Sequence, residues 1–350
     1  MPTSSIDTFF ACTIIVAAAL MATAFLTSTL QTNIESTQAV NKGSYLRAIA
    51  DYIVTSPGNP ISWGSTSGVP VVFGLAATPS STPYELDVDK VSRLNDQSNY
   101  SLAYPDIENA AKLNNIALGI KISQIMDINI EQSNKNTVGD NVSFTFTVLT
   151  NVESKPRSAN LHCYVIANNY QLGISNVTSE IGVGSITFEM PNASSDNALL
   201  IVFARASFDD RITSYAIYDL KNSAQESIPD NRILSLSPLN YTISYTTSSM
   251  DLALQRGYIL SWAYKQNLAS MQNSVFSIPK IIDNSPFIAV ICGLENGTYF
   301  QQWTVYPSIP LNAGSSFRDS AQNVFSYIVT IKGTLCRLDI SLGDVESRRS

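Results

Sequence analysis

The hydrophobic pattern begins with one long unbroken block. From Phe9 to Leu30 (FFACTIIVAAALMATAFLTSTL) the residues are mostly apolar, and no charged side chain occurs between Thr8 and Ile34. A helix of that length covers roughly 33 Å at 1.5 Å per residue, matching the ~30 Å hydrocarbon core of a bilayer. A lone segment inside lipid satisfies its backbone amides only as a helix. Ile34, Leu46, Ile49 and Ile53 then continue near helical spacing, so the pattern predicts one helix from about Ser5 to Thr55, stopped at Pro57-Gly58. A cleaved signal peptide, with Ala22-Thr23-Ala24 as its cleavage site, is the competing reading. The lack of Lys or Arg in MPTSSID and the length of the apolar run favour a retained anchor, with the bilayer as partner of residues 9–30.

Beyond a turn-rich stretch from Ser56 to Gly64, in which Trp63 is the expected packing anchor, the apolar positions Leu86, Val88, Val91 and Leu94 mark a short amphipathic helix led by Tyr84-Glu85-Leu86-Asp87. A second short helix is expected over Asp106 to Asn114. From Ile125 the period drops to two. Val142-Ser143-Phe144-Thr145-Phe146-Thr147-Val148 puts Val and Phe on one face and Ser and Thr on the other. Further strands are expected at Asn160 to Ala167, Gly184 to Met190, Ala198 to Ala206, Thr213 to Leu220, Tyr241 to Thr246, Phe287 to Gly293, Tyr299 to Tyr306 and Phe325 to Leu342. Turn signals separate them as in a sandwich. The expected fold class is mainly β: a long N-terminal transmembrane helix followed by a β-rich ectodomain with an immunoglobulin-like sandwich. The expected segments are 1–56 (helix), 57–135 (linker, short helices and first strand), 136–222 (immunoglobulin-like unit) and 223–350 (a C-terminal β-rich domain, with 120–132 as a candidate to pack with it).

Composition narrows the environment. Only 14% of residues are charged against a usual level of about 25%, and Ser, Thr and Asn fill the deficit. Six N-x-S/T sequons start at Asn99, Asn141, Asn176, Asn192, Asn240 and Asn296. Together these features point to a single-pass cell-membrane protein whose C-terminal region lies outside the cell. A net charge of −7, with no basic cluster, speaks against a nucleic-acid partner. Of four cysteines, Cys12 lies in the apolar run, leaving Cys163, Cys292 and Cys336. Cys292 with Cys336 is the preferred candidate disulfide; three buried free thiols is the alternative. No cysteine has zinc-site spacing, so no metal is expected.

Four pieces of the chain together resemble archaeal type IV pilin-like surface proteins. They are Asp7 at the start of the apolar run, the exit turn Ser56-Pro57-Gly58-Asn59-Pro60 with Trp63-Gly64, the stretch Tyr84-Glu85-Leu86-Asp87 with Lys90-Val91, and the closing Tyr327-Ile328-Val329-Thr330-Ile331-Lys332-Gly333 to Arg337-Leu338. The pieces cover the first ~95 and last ~25 residues, and leave the middle as an inserted sandwich. The resemblance implies an anchoring helix under a β-rich head, with Asp7 as a candidate helix-assembly acid pairing with a neighbouring subunit's N-terminal amine. The chain departs from the family in lacking a basic leader. An acid near a helix N-terminus is also favoured by the macrodipole alone.

The search for chemistry is short. His162 is the lone histidine, and Cys163 beside it points to the opposite face of a strand, so the two do not form a nucleophilic pair. Asp87-x-Asp89 lacks the Gly and distal Glu of an EF-hand, and Asp209-Asp210 reads as a solvated turn. Gly182 to Gly184 precedes no helix and is not a phosphate loop. Tyr and Trp are dispersed and are explained by packing without a sugar site. Glycosidase carboxylates are defined by a separation in space that sequence does not reveal. The reading is a non-enzymatic, membrane-anchored surface protein with a structural or adhesive role, without cofactor, and with self-association or other surface proteins as partners. The alternative is a tethered extracellular module that binds a solute or partner.

Overall fold

The computed structural model describes residues 20, 21, 23, 42–80, 82–96, 98, 100–168, 170–179, 181–195, 197–226, 234–246, 252–268, 275–278, 285–317 and 322–344. The chain divides into two units, Met1–Asp51 and Tyr52–Ser350. In the first, residues 20, 21, 23 and 42–51 are helical.

No helix among the described residues is long and apolar enough to cross a membrane, which corrects the expected fold class. The helical residues 42–55 would cover only about 21 Å, short of the ~30 Å needed, and they carry Lys42, Arg47 and Asp51. Apart from residues 20, 21 and 23, the apolar run 9–30 lies outside the described residues, as do Asp7 and Cys12.

The second unit is β-rich and sandwich-like, and its logic is set by how many faces each sheet buries. A first outer sheet is built from Met126–Val138, Asn141–Val152, Lys155–Pro156 and Val183–Pro191. Along Asn141–Val152 burial alternates: Val142, Phe144, Phe146 and Val148 point inward and the residues between them do not. Behind it lies a first inner sheet with strand order Ala224–Glu226, Thr213–Asp219, Ala198–Ala206, Ala159–Ala167 and Tyr170–Ser179. Leu200, Val202 and Ala204 join Phe144, Phe146, Ile186 and Phe188 in one core.

The opposite face of that inner sheet is buried as well. Leu199, Ile201 and Phe203 meet Ile288, Val290, Trp303 and Val305 in a second core. These last belong to a second inner sheet, ordered Lys265–Leu268, Leu252–Leu260, Phe287–Glu295 and Thr298–Tyr306. Its far face, through Phe287, Ala289 and Ile291, meets Leu236, Ile243 and Phe276 in a third core. That core is closed by the small outer sheet Leu234–Ser237, Thr242–Tyr245 and Val275–Ser277. A strand buried on both faces must be apolar at both parities. This explains the unbroken runs ALLIVFARA (198–206) and FIAVICGLE (287–295). The cores thus pass without interruption from residues below 222 to residues above it.

A fifth sheet gathers distant segments in the order Glu85–Leu86, Gln322–Ile331, Thr334–Asp344, Ile116–Gln124 and Leu311–Gly314. Glu85 and Leu86 pair in parallel with Thr330 and Ile331. The expected helix at 84–91 therefore begins only at Val88, running Val88–Ser92 with Asp87 as its N-cap, accepting from the amides of Asp89 (2.9 Å) and Lys90 (3.1 Å). The second short helix is Tyr104–Ala111.

Around Val88–Ser92 two cations are buried. Lys90 Nζ donates to the carbonyls of Pro57 (2.9 Å) and Ala76 (2.8 Å), and burial pushes its pKa down while Asp87 opposes this. Arg93 donates to the carbonyls of Trp63, Thr66, Gly68 and Tyr100. Trp63 is fully buried and donates to Gly74 O at 3.0 Å. A Cβ at Gly74 would meet Ser56 O at 2.3 Å, so only glycine allows this approach.

Two stability predictions follow from the packing. Phe146 is fully buried, with Phe188 at 5.8 Å and Tyr218 edge-on at 5.1 Å; Phe146→Ala should cost about 3–5 kcal/mol. Lys90→Met should cost about 1–3 kcal/mol, because two buried carbonyls lose their donor. Urea unfolding of each variant against the parent checks both, and a change below ~0.5 kcal/mol would refute the assigned role.

Candidate functional site

Where the two inner sheets end side by side, the described residues leave a polar cleft. Strand Thr213–Asp219 pairs with the short edge strand Ala224–Glu226, setting Glu226 opposite Ile217 and Asp219 opposite Ala224. Ile217 faces the second inner sheet. By the two-residue period of a strand, Asp219 and Glu226 share that face as diagonal neighbours, about 7–8 Å apart at the backbone. Across from them runs Thr298–Tyr306, the edge strand of the second inner sheet. Its burial rises along its length: Tyr299 to Gln302 are half-buried, while Trp303 to Tyr306 are buried. The two edges enclose a cleft of about 260 Å³, lined by Asn197, Asp219, Lys221, Asn222, Glu226, Tyr299, Phe300, Gln301 and Trp303, with Leu199 and Gln302.

The polar groups are held in defined poses. Trp303 Nε1 donates to Glu226 Oε2 at 3.0 Å, and no other described residue engages this carboxylate. Asp219 accepts from the Lys221 amide (2.9 Å) and from Asn222 Nδ2 (2.7 Å), one hydrogen bond to each of its oxygens. Burial pushes the Glu226 carboxyl pKa up; Trp303 opposes this and the charge of Asp219 adds to it. Gln301 Oε1 is buried with no hydrogen-bond partner, a state that native proteins keep at low frequency and that calls for an explanation. Tyr299 lies against the Cys292 thiol, and Phe300 stacks on Tyr245 at 5.0 Å. Chemically, the cleft offers carboxylates, amides that both donate and accept, and half-buried aromatic faces.

The residues singled out from sequence lie elsewhere. Cys292 and Cys336 do not form the expected disulfide: with Cys163 they are free and buried. Cys292 sits in the second inner sheet and Cys336 in the fifth sheet, where it pairs across from Gln124. Burial pushes the thiols of Cys163 and Cys336 up to about 12 and that of Cys292 to about 11, so none is a nucleophile at neutral pH. His162 stacks on Tyr164 (4.8 Å) with Trp262 edge-on at 6.0 Å, on the face opposite Cys163, and burial lowers its pKa. Asp87 is a helix cap, and Asp89 accepts hydroxyl bonds from Tyr306 and Tyr241. Asp209 pairs with Arg211 at 2.8 Å, which holds its carboxyl below the usual range. Among the described residues no group of three or more His, Cys, Asp or Glu is placed to hold a metal. Of the sequons, Asn141, Asn192, Asn240 and Asn296 are exposed. Asn99 lies outside the described residues, as does the side chain of Asn176.

Nothing in the local sequence marks the cleft. Glu226 sits in the plain stretch Ala224-Gln225-Glu226-Ser227, and Trp303 reads as a core residue. Only the pairing of residues 77 positions apart turns them into a site.

No family model matches this chain, and no curated protein matches it. Among solved structures it is similar to HBP35 of Porphyromonas gingivalis, at 15% identity and a TM-score of 0.20, over 51% of this chain. The match spans 63% of that chain's length, and at this similarity it carries no argument about fold or function.

Glu226 predicts a pH signature. Its folded-state pKa is raised above the ordinary 4.5, so the folded protein holds this proton more tightly than the unfolded chain. Stability from this group is therefore full at low pH and is lost as pH rises from about 4.5 through the folded-state value. The stability of the parent minus that of Glu226→Gln should be larger at pH 4 than at pH 7 in denaturant titrations. An equal difference at both pH values would show that Glu226 is not desolvated.

Proposed function

We propose that the protein is a non-enzymatic binding module acting outside the cell, and that its ligand is a small polar molecule held in the cleft between the two inner-sheet edges. The observation that carries this reading is the cleft itself: a concave volume of about 260 Å³ with convergent carboxylates, amides and aromatic faces. Its walls belong to sheet edges braced by buried cores, so the polar groups are preorganised and little ordering free energy is lost on binding. The scarcity of charged residues supports the extracellular setting.

A structural or adhesive surface role is the second reading. It is supported by the exposed sequon asparagines Asn141, Asn192, Asn240 and Asn296 on a surface rich in neutral polar groups. A binding cleft serves an adhesin as well as a sensor.

The test is a thermal-unfolding screen of the full chain against amino acids, polyamines, nucleosides, phosphates and neutral sugars. At least one class should raise the melting temperature, since a ligand at 100 times its Kd stabilises by about 2.7 kcal/mol. The shift should fall by more than half in Trp303→Phe, which removes the indole donor that positions Glu226. Absence of any shift across all classes, or a shift untouched by Trp303→Phe, refutes the reading.

A further inference from the structure

We infer that the cleft recognises an uncharged, polyhydroxylated ligand, the terminal ring of a neutral saccharide; this deepens the binding reading above and rests on it. Each alternative ligand class fits the lining worse. An anion would face Asp219 and Glu226 with Lys221 as the one cation. A metal ion needs several converging ligands, and among the described residues no group of three or more His, Cys, Asp or Glu is placed to hold one. An organic cation would share the lining with Lys221, and three of the four carboxylate oxygens there already accept a hydrogen bond from the protein. An apolar ligand would desolvate the unengaged oxygen of Glu226 and the amides of Asn197 and Asn222 without replacing their hydrogen bonds to water.

A sugar hydroxyl both donates and accepts, as do the amides of Asn197, Asn222 and Gln301. It can donate to the unengaged oxygen of Glu226, whose orientation the Trp303 indole fixes, and exchange hydrogen bonds with the amides that line the cleft. The C–H face of a pyranose suits a half-buried aromatic ring, which Tyr299 supplies at the same edge. A cleft of about 260 Å³ falls just below the ~300–1,000 Å³ usual for drug-sized ligands, a scale that admits the end of a chain rather than a long segment.

The test is a neutral-glycan array followed by isothermal titration of the full chain, with the matching free monosaccharide titrated in parallel. Two variants probe the site: Gln301→Ala, and Asn222→Trp, an exposed position where bulk narrows the mouth without touching a core. We expect at least one neutral glycan to bind, with affinity weakened tenfold or more by each variant and an unchanged melting temperature for Asn222→Trp. Equal affinity for the free monosaccharide assigns a soluble sugar as the ligand, and a much weaker one assigns a glycan chain; both uphold the site. Binding of amines, anions or metal ions that Asn222→Trp abolishes, with no glycan bound, overturns the saccharide assignment while leaving the binding module standing. Glycan binding indifferent to both variants overturns the site, and no ligand of any class overturns both readings. Release of new reducing ends from a bound glycan keeps the saccharide site and overturns the non-enzymatic assignment.

Discussion

Burial of the two inner sheets on both faces is the constraint from which the rest of the second unit follows. Strand Ala198–Ala206 sends Leu200, Val202 and Ala204 to one core and Leu199, Ile201 and Phe203 to the next. Strand Phe287–Glu295 divides in the same way between the second core and the third. Each fully buried aliphatic or aromatic side chain contributes roughly 1.5–3 kcal/mol, so such strands are the strongest ordering elements of the chain and leave no polar face for solvent. The first outer sheet is free to alternate, and its strand Asn141–Val152 does so from Asn141 to Asn151.

The candidate site is a consequence of the same arrangement. Apolar stacking stops where the inner sheets end, and strand Thr298–Tyr306 records the change residue by residue, from buried Trp303 and Val305 to half-buried Gln301 and Tyr299. The opposing strand ends in the same place, passing from buried Ile217 to half-buried Asp219. Polar groups at such a boundary are partly desolvated yet reachable, which is the environment that makes a hydrogen bond discriminating. The Trp303–Glu226 bond sits at that boundary and ties the edges of the two sheets together.

A separate polar construction supports the start of the second unit. Lys90 and Arg93 are buried without a matching number of buried acids; backbone carbonyls of Pro57, Ala76, Trp63, Thr66 and Gly68 take their place. Carbonyl dipoles satisfy the donors that burial would otherwise strand, and in return the cations organise loops that have little regular structure. The sequence marks Trp63 as an anchor but gives no sign of either cation's burial, because Lys and Arg at i and i+3 of a short helix read as a solvated face.

Local pattern determined much of the β architecture. Alternation at 142–148 and the apolar runs at 198–206 and 287–295 each correspond to a strand, since period and hydrophobicity are properties of consecutive residues. Strands with weaker signals, such as Leu234–Ser237 and Leu311–Gly314, emerge only in the fold, where partners far along the chain supply their hydrogen bonds. The long membrane-spanning helix inferred from the apolar run has no counterpart among the described residues. The Cys292–Cys336 pair failed because two strand-like runs of one region joined different sheets. Period and polarity were thus settled by the sequence alone. Which faces became cores, which thiols stayed apart and where Glu226 met Trp303 were decided by tertiary structure, because sheet order and layer stacking bring together residues whose chemistry is silent until they touch.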